Sequence, residues 1–213
     1  MVLLTAALLL AFTPQTVPQV QQREIHEHTQ NYAIDINYPE IANADQFNAA
    51  VHQTVDPLVK NFKSEPIAAR NEPTGFLTGT YTATTLKTGI VSALLIWNEY
   101  APGAAHPGNF MASINYDTRT GRVLVLSDLF RPGVNYLSRL SKISIASLDR
   151  QEYAVPDFVR RGAGPVESNF KVFTLTDTSL VLHFPTYQVA AGAAGPQQVV
   201  IPLATLAPIL RKR

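Results

Sequence analysis

Alternation of apolar and polar side chains first becomes regular at Tyr32-Ala33-Ile34-Asp35-Ile36-Asn37-Tyr38, which predicts a half-buried strand ended by Pro39. A helix is expected next, capped by Asn43 or Asp45, because Phe47, Val51, Val55, Leu58 and Phe62 recur at spacings of four, four, three and four. Pro57 falls inside that stripe and removes a backbone donor, so a kink or break is expected there. Phe76 to Lys87 and Ile90 to Tyr100 are extended runs rich in Thr, Tyr, Ile and Val, joined at Thr88-Gly89, and read as a hairpin. Ile90 to Trp97 is apolar on both faces of a pleat, which predicts a central strand covered from two sides.

A second hairpin is predicted from Phe110 to Tyr116 and Val123 to Leu126 around the turn Asp117-Thr118-Arg119-Thr120-Gly121. Leu137, Leu140, Ile143 and Leu148 mark a helix over Tyr136 to Arg150, and Asp157 to Arg161 a shorter turn of helix. Three short strands follow, Val172 to Leu175, Ser179 to Phe184 and Val199 to Ile201, then a last helix, Leu203 to Leu210. This order lacks strict β-α alternation and predicts an α+β fold, mainly antiparallel sheet with a few packed helices in two intimately packed lobes. The expected division is 1–22 as signal peptide and linker, 23–101 as an N-terminal lobe and 102–213 as a C-terminal lobe.

Composition narrows the function classes. The 213 residues are 46% hydrophobic and only 15% charged, with 15 prolines and 11 glycines, which fits a loop-rich β-containing protein with a real core. Net charge is +1, too small a field to argue for nucleic acid as a partner. The one basic cluster, Arg211-Lys212-Arg213, is expected to be a solvated tail complementing the C-terminus of the last helix. Absence of cysteine excludes disulfides, thiolate metal sites and cysteine nucleophiles. Residues 1–13 carry no charged side chain and are shorter than the roughly 20 residues a bilayer span needs, so they read as a signal-peptide core followed by the polar linker Gln15 to Gln22. Export to the periplasm or outside the cell is therefore expected, with membrane contact only through this segment if it stays uncleaved.

Candidate chemistry gathers in the loop Tyr100 to Asn109, which is rich in Gly, Pro and Ala and lies between two apolar strands. His106, fixed locally by Pro107, Asn109, Tyr100 and the more distant Tyr187 are the candidate binding residues. Tyr116 and Tyr153 also fall near predicted loops or strand ends. A catalytic reading would pair His106 with Glu99 or Asp128 as general base and orienting carboxylate. No nucleophile elbow, HExxH, phosphate-cradling loop or paired-carboxylate motif is present, so binding is favoured and no catalytic residue is assigned. His26-Glu27-His28 has an H-x-H spacing but no third ligand in sequence, while His52 and His183 read as bystanders. Gly162-Ala163-Gly164 is a poor phosphate site because Pro165 follows. No cofactor and no metal are expected.

Several motifs in order carry a family resemblance: Gly103-Ala104-Ala105-His106-Pro107, Tyr116 to Gly121, Leu126-Ser127-Asp128-Leu129-Phe130, Asn169-Phe170 to Thr176-Asp177, and Phe184-Pro185-Thr186-Tyr187 through Gly195-Pro196 to Ile201-Pro202. They resemble the RsiV-like C-terminal domain. The N-terminal part, with its strand, Phe47-Asn48 helix and Thr80-Tyr81 hairpin, is similar to the companion module of PdaC-type deacetylases. The resemblance covers roughly residues 30–210. It implies an extracytoplasmic module, one that in anti-sigma factors binds lysozyme and in the deacetylases accompanies a separate catalytic domain acting on peptidoglycan. The sequence shows neither a cytoplasmic sigma-binding segment nor a deacetylase domain, so neither activity carries over. The expected partner is a protein or peptidoglycan ligand of the cell envelope, with an envelope hydrolase centred on His106 as the alternative.

Overall fold

The computed structural model describes residues 18–64 and 75–212; the expected signal-peptide core lies outside them. A six-stranded sheet is built in chain order from β1 (Val20–His28), β2 (Tyr32–Ile41), β3 (Gly75–Thr85), β4 (Ile90–Tyr100), β5 (Gly108–Asp117) and β6 (Arg122–Leu124). Every pairing is antiparallel except β2 with β3, whose parallel register runs from Tyr32↔Gly75 to Ile36↔Gly79 around the crossover helix α1 (Asp45–Ser64). A second, three-stranded antiparallel sheet consists of β7 (Phe173–Leu175), β8 (Ser179–Phe184) and β9 (Gln197–Pro202), accompanied by α2 (Tyr136–Leu148), α3 (Pro156–Gly162) and α4 (Leu203–Leu206). The fold is α+β, as the element pattern predicts, and no described helix is long and apolar enough to cross a membrane.

Two cores follow from the periodicities. Phe47, Val51, Val55 and Phe62 form the buried stripe of α1 and pack on Ile34, Ile36, Val91, Ala93 and Leu95 of the large sheet. Leu140 of α2, Val159 of α3, Phe170, Leu180, Leu182 and Phe184 centre the second core, which Leu86 and Ile90 of the β3–β4 hairpin enter from the first sheet. β4 is central and buried on both faces from Ile90 to Leu95, as its unbroken apolar run predicts.

The sheets are joined by a buried polar seam. Ser92 Oγ donates to Asn115 Oδ1 at 2.6 Å and accepts the Leu175 N–H at 2.8 Å. Asn115 Nδ2 donates to the Phe173 carbonyl at 2.9 Å, and Ser113 Oγ accepts the Phe173 N–H at 2.9 Å. Backbone groups on the outer edge of β7, which would otherwise be buried without partners, are thus satisfied by side chains of β4 and β5.

Several expectations change. β2 continues through Pro39 to Ile41, because its pairing with β3 ends at Ile36 and a residue lacking N–H is tolerated on the open edge beyond. α1 stays continuous through Pro57, an exposed position flanked by buried Val55 and Phe62 that hold both halves to the sheet. Neither expected cap starts it: Asn43 takes φ 60°, the Ala44 carbonyl accepts the first helical N–H, and the Asn48 side chain ties back to both backbone groups of Ile41. An additional strand, β1, begins at Val20 within the expected linker. β4 and β5, on either side of the loop at 101–107, pair within the same large sheet. The last helix stops at Leu206 because residues 209–211 pair with 129–131 instead, so Arg211 is held by a backbone bond to Leu129 rather than sitting on a helix end.

Candidate binding site

The site grows out of the register of β4 and β5. Asn98 lies opposite Asn109 and Glu99 opposite Gly108, which closes the strand pair and leaves 101–107 as a projecting loop. Gly103 at its tip takes φ 90° with no neighbour within 4 Å of a built Cβ. His106 is exposed on this loop, with Nδ1 3.1 Å from the Pro107 carbonyl. A carbonyl only accepts, so Nδ1 carries a proton there, and Nε2 lies 3.3 Å from the Tyr187 hydroxyl. The two rings are 6.3 Å apart at 29°, a near-parallel exposed pair drawn from positions 81 residues apart.

Tyr187 is held in an unusual state. Its φ is 71° and it is 54% exposed, on the loop that follows β8. Left-handed backbone at a bulky non-glycine residue costs on the order of 1–3 kcal/mol and persists only where the surroundings impose it. Two supports are visible. Gln188 Nε2 donates to the carbonyls of Gly162 and Asn169, each at 2.8 Å, fastening the loop to the end of α3. Gly192 lies beneath the tyrosine ring, where a Cβ would fall 2.3 Å from it. Gly162 itself permits a close backbone approach, since a Cβ there would sit 1.9 Å from the Gln188 carbonyl oxygen.

Asn109 completes the group through Nδ2 to Asn98 Oδ1 at 2.8 Å and a long contact from Thr186 Oγ1 at 3.5 Å. The structure therefore brings His106, Asn109 and the Thr186–Tyr187 loop together. Tyr100 has another partner: it stacks on Phe76, directly opposite in the β3–β4 register, at 5.7 Å and 25°. Alternation along β4 puts Tyr100 on the same sheet face as Asn98, so it flanks the group. Tyr116 is buried against Phe47, and Tyr153 donates to Gln197 Oε1 at 2.6 Å.

Of the carboxylates considered for His106, Asp128 is excluded by distance. It accepts the Val125 N–H beyond β6, beside the Asp117 end of β5, whereas His106 precedes the Gly108 end. Ten residues of strand separate those ends by about 30 Å. Glu99 remains at the correct end of the sheet. Two recesses, of about 120 and 180 Å³, open near the Asp117 end, one lined by Leu86, Ile90 and Leu203 and the other by Asp117, Arg122 and Asp128. Neither borders His106 or Tyr187, both of which are exposed. The other histidines are dispersed: His52 reaches Asp56 at 3.3 Å, His183 bonds Thr174 at 2.8 Å, and His26 and His28 lie on β1 beside Asp35.

Sequence reasoning missed Gly162, Asn169, Gln188 and Gly192, which fix Tyr187. Glycines in loops signal close approach, but which chain approaches is settled only by the fold.

Comparison with known proteins separates the halves of this arrangement. Residues 127–204 match the DUF3298 family, a family of proteins of unknown function. The DUF3298 stretch contains Tyr187 and all four supporting residues, while His106 and Asn109 precede it. Over 191 residues the chain is 29% identical to the peptidoglycan-N-acetylmuramic acid deacetylase PdaC of Bacillus subtilis, covering 87% of this chain and 40% of that protein. It is also 26% identical over 108 residues to the esterase Rv3036c of Mycobacterium tuberculosis, covering 50% of this chain and 47% of the esterase. The chain thus spans less than half the length of these curated relatives. Two solved DUF3298 structures share the fold. One, from Pseudomonas aeruginosa, has a TM-score of 0.63 at 16% identity, covering 91% of this chain and 94% of the other. The second, from Bacteroides fragilis, has a TM-score of 0.62 at 13% identity, covering 92% and 94%.

Proposed function

We propose that this chain is an exported, non-catalytic binding module of the bacterial cell envelope, recognising a wall glycan or an envelope protein through His106, Asn109 and Tyr187. The observation that carries the reading is the exposed His106–Tyr187 pair, assembled from two distant loops with Tyr187 in a costly backbone conformation. Such cost is expended at recognition surfaces more readily than at inert ones. The chemistry suits a sugar or peptide: a tyrosine and an imidazole offer apolar ring faces, while the Asn109 and Tyr187 polar tips offer directional hydrogen bonds. Similarity to a protein named as a peptidoglycan deacetylase supports the wall as the location and peptidoglycan as a ligand. The RsiV-like resemblance supports a lysozyme-like protein as the other ligand to test.

Capture by the immobilised full chain tests this, with soluble peptidoglycan fragments and lysozyme as separate probes. We expect one probe to bind, and the folded triple variant His106→Ala, Asn109→Ala, Tyr187→Ala to bind it at least tenfold more weakly. No binding of either probe, or equal binding by the variant, would sink the proposal. Similarity to an esterase favours assaying hydrolysis alongside; turnover lost with His106→Ala but retained with Tyr187→Ala would replace binding by catalysis.

A further inference from the structure

β1 is an edge strand, and around its last turns of pleat the side chains alternate between the α1 side and the opposite face. Its odd-numbered residues have partners on the α1 side: Ile25 packs with the core, and Glu27 bonds Lys63 of α1 and Tyr32. On the opposite face His26 and His28 project together, two residues apart on one side of the pleat. In the antiparallel register His26 lies directly opposite Asp35, and His28 lies on the diagonal, opposite Ala33. One carboxylate consequently meets both rings: His26 Nδ1 is 2.6 Å from Asp35 Oδ1, and His28 Nε2 is 2.8 Å from Asp35 Oδ2. The imidazole centroids are 4.2 Å apart, and one ligand atom from each of the three residues lies within 4.8 Å of the others. Asp35 supplies the third potential donor that the linear H-x-H spacing lacks.

We infer that His26, His28 and Asp35 form a binding site for a divalent transition-metal ion of the zinc class, clipping β1 to β2 and leaving coordination positions open to solvent or a ligand. Two imidazoles and one carboxylate are a donor set borderline metals accept, whereas calcium and magnesium require oxygen-rich shells. Tetrahedral zinc with bonds near 2.0–2.1 Å separates its ligand atoms by about 3.3 Å, so the 2.6 and 2.8 Å contacts must lengthen by about 0.7 and 0.5 Å, and atoms up to 4.8 Å apart must close toward the same spacing, by side-chain rotation on an exposed face. All three side chains are about half exposed, which gives an ion direct access. As bare ion pairs at the surface they would contribute little to stability, so a clip is the larger role this geometry offers. The site shares no residue with the His106–Tyr187 surface and rests on none of its chemistry.

Calorimetric titration of the untagged full chain with zinc chloride at about pH 7.5 is the test. The expected result is one zinc per chain, a raised thermal unfolding midpoint, and no response to magnesium chloride. Asp35→Asn and His28→Gln, which keep polar side chains on the paired strands, should each weaken zinc binding at least tenfold while unfolding like the ion-free wild type. His52→Gln should bind as wild type does. The inference is overturned if the wild-type chain takes up no zinc, or if Asp35→Asn and His28→Gln bind it undiminished.

Discussion

Tyr187 shows how much of the proposed binding surface depends on residues that lie beneath it. Gly192 and Gly162 both leave space, but for different neighbours, and their alanine variants should separate. At Gly192 the obstruction is the end of an exposed side chain, so Gly192→Ala should displace the ring, change stability by under about 0.5 kcal/mol and weaken partner capture about tenfold. At Gly162 the obstruction is the Gln188 backbone, so Gly162→Ala should cost about 1–3 kcal/mol in denaturant unfolding and loosen the whole loop. His183 gives a pH signature. Burial holds its imidazole below the ordinary 6.5, so the unfolded chain binds the proton first as pH falls. Its contribution is full above 6.5 and is lost as acidification proceeds toward the lowered folded value. Replacing His183 with Gln, which can still bond Thr174, should flatten that segment of the stability curve measured by urea unfolding at stepped pH. His106 and Tyr187 were legible as candidates because loop composition marks recognition segments. Asp35 as a histidine partner was not, because it lies on another strand and only the register reveals the meeting.

Legibility differed from element to element for physical reasons. The β3–β4 and β5–β6 hairpins could be read because Gly89 and Gly121 take the positive φ their turns require, 79° and 67°. β1 could not, since most of its side chains face solvent and the strand carries no apolar alternation for a periodicity argument to detect. α4 was overextended because Leu206, Ile209 and Leu210 have helical spacing, yet residues 209–211 pair with 129–131 instead of adding another turn. The polar seam was hidden for the opposite reason: Ser92, Ser113 and Asn115 stand within apolar runs and look incidental until β7 lies against them. Removing Asn115 leaves the Phe173 carbonyl without its acceptor bond and the Ser92 O–H without a partner in a buried setting, although Ser92 Oγ still accepts from Leu175. Asn115→Ala should therefore destabilise by about 1–3 kcal/mol in urea unfolding, and Ser92→Ala by a similar amount. An exposed control such as Thr120→Ala should change little.

Across the whole molecule, the α+β class followed from element order, and the two DUF3298 structures support it independently of close sequence likeness. How the two sheets meet was less accessible, because the second core takes in Leu86 and Ile90 from the first sheet, a contact no local pattern announces. The six-stranded sheet has its strands side by side in the order in which they occur along the chain, and its last pairing is complete at Leu124. A chain released from its amino end therefore possesses every member of that sheet before any strand of the second one has emerged. The earlier half can assemble through near-neighbour contacts, whereas β7 must wait to meet partners 58 to 83 positions behind it. Folding then has a direction built into its wiring, with docking of the later half as the slow, entropically costly step and a bare β4–β5 face as the vulnerable surface in the interval.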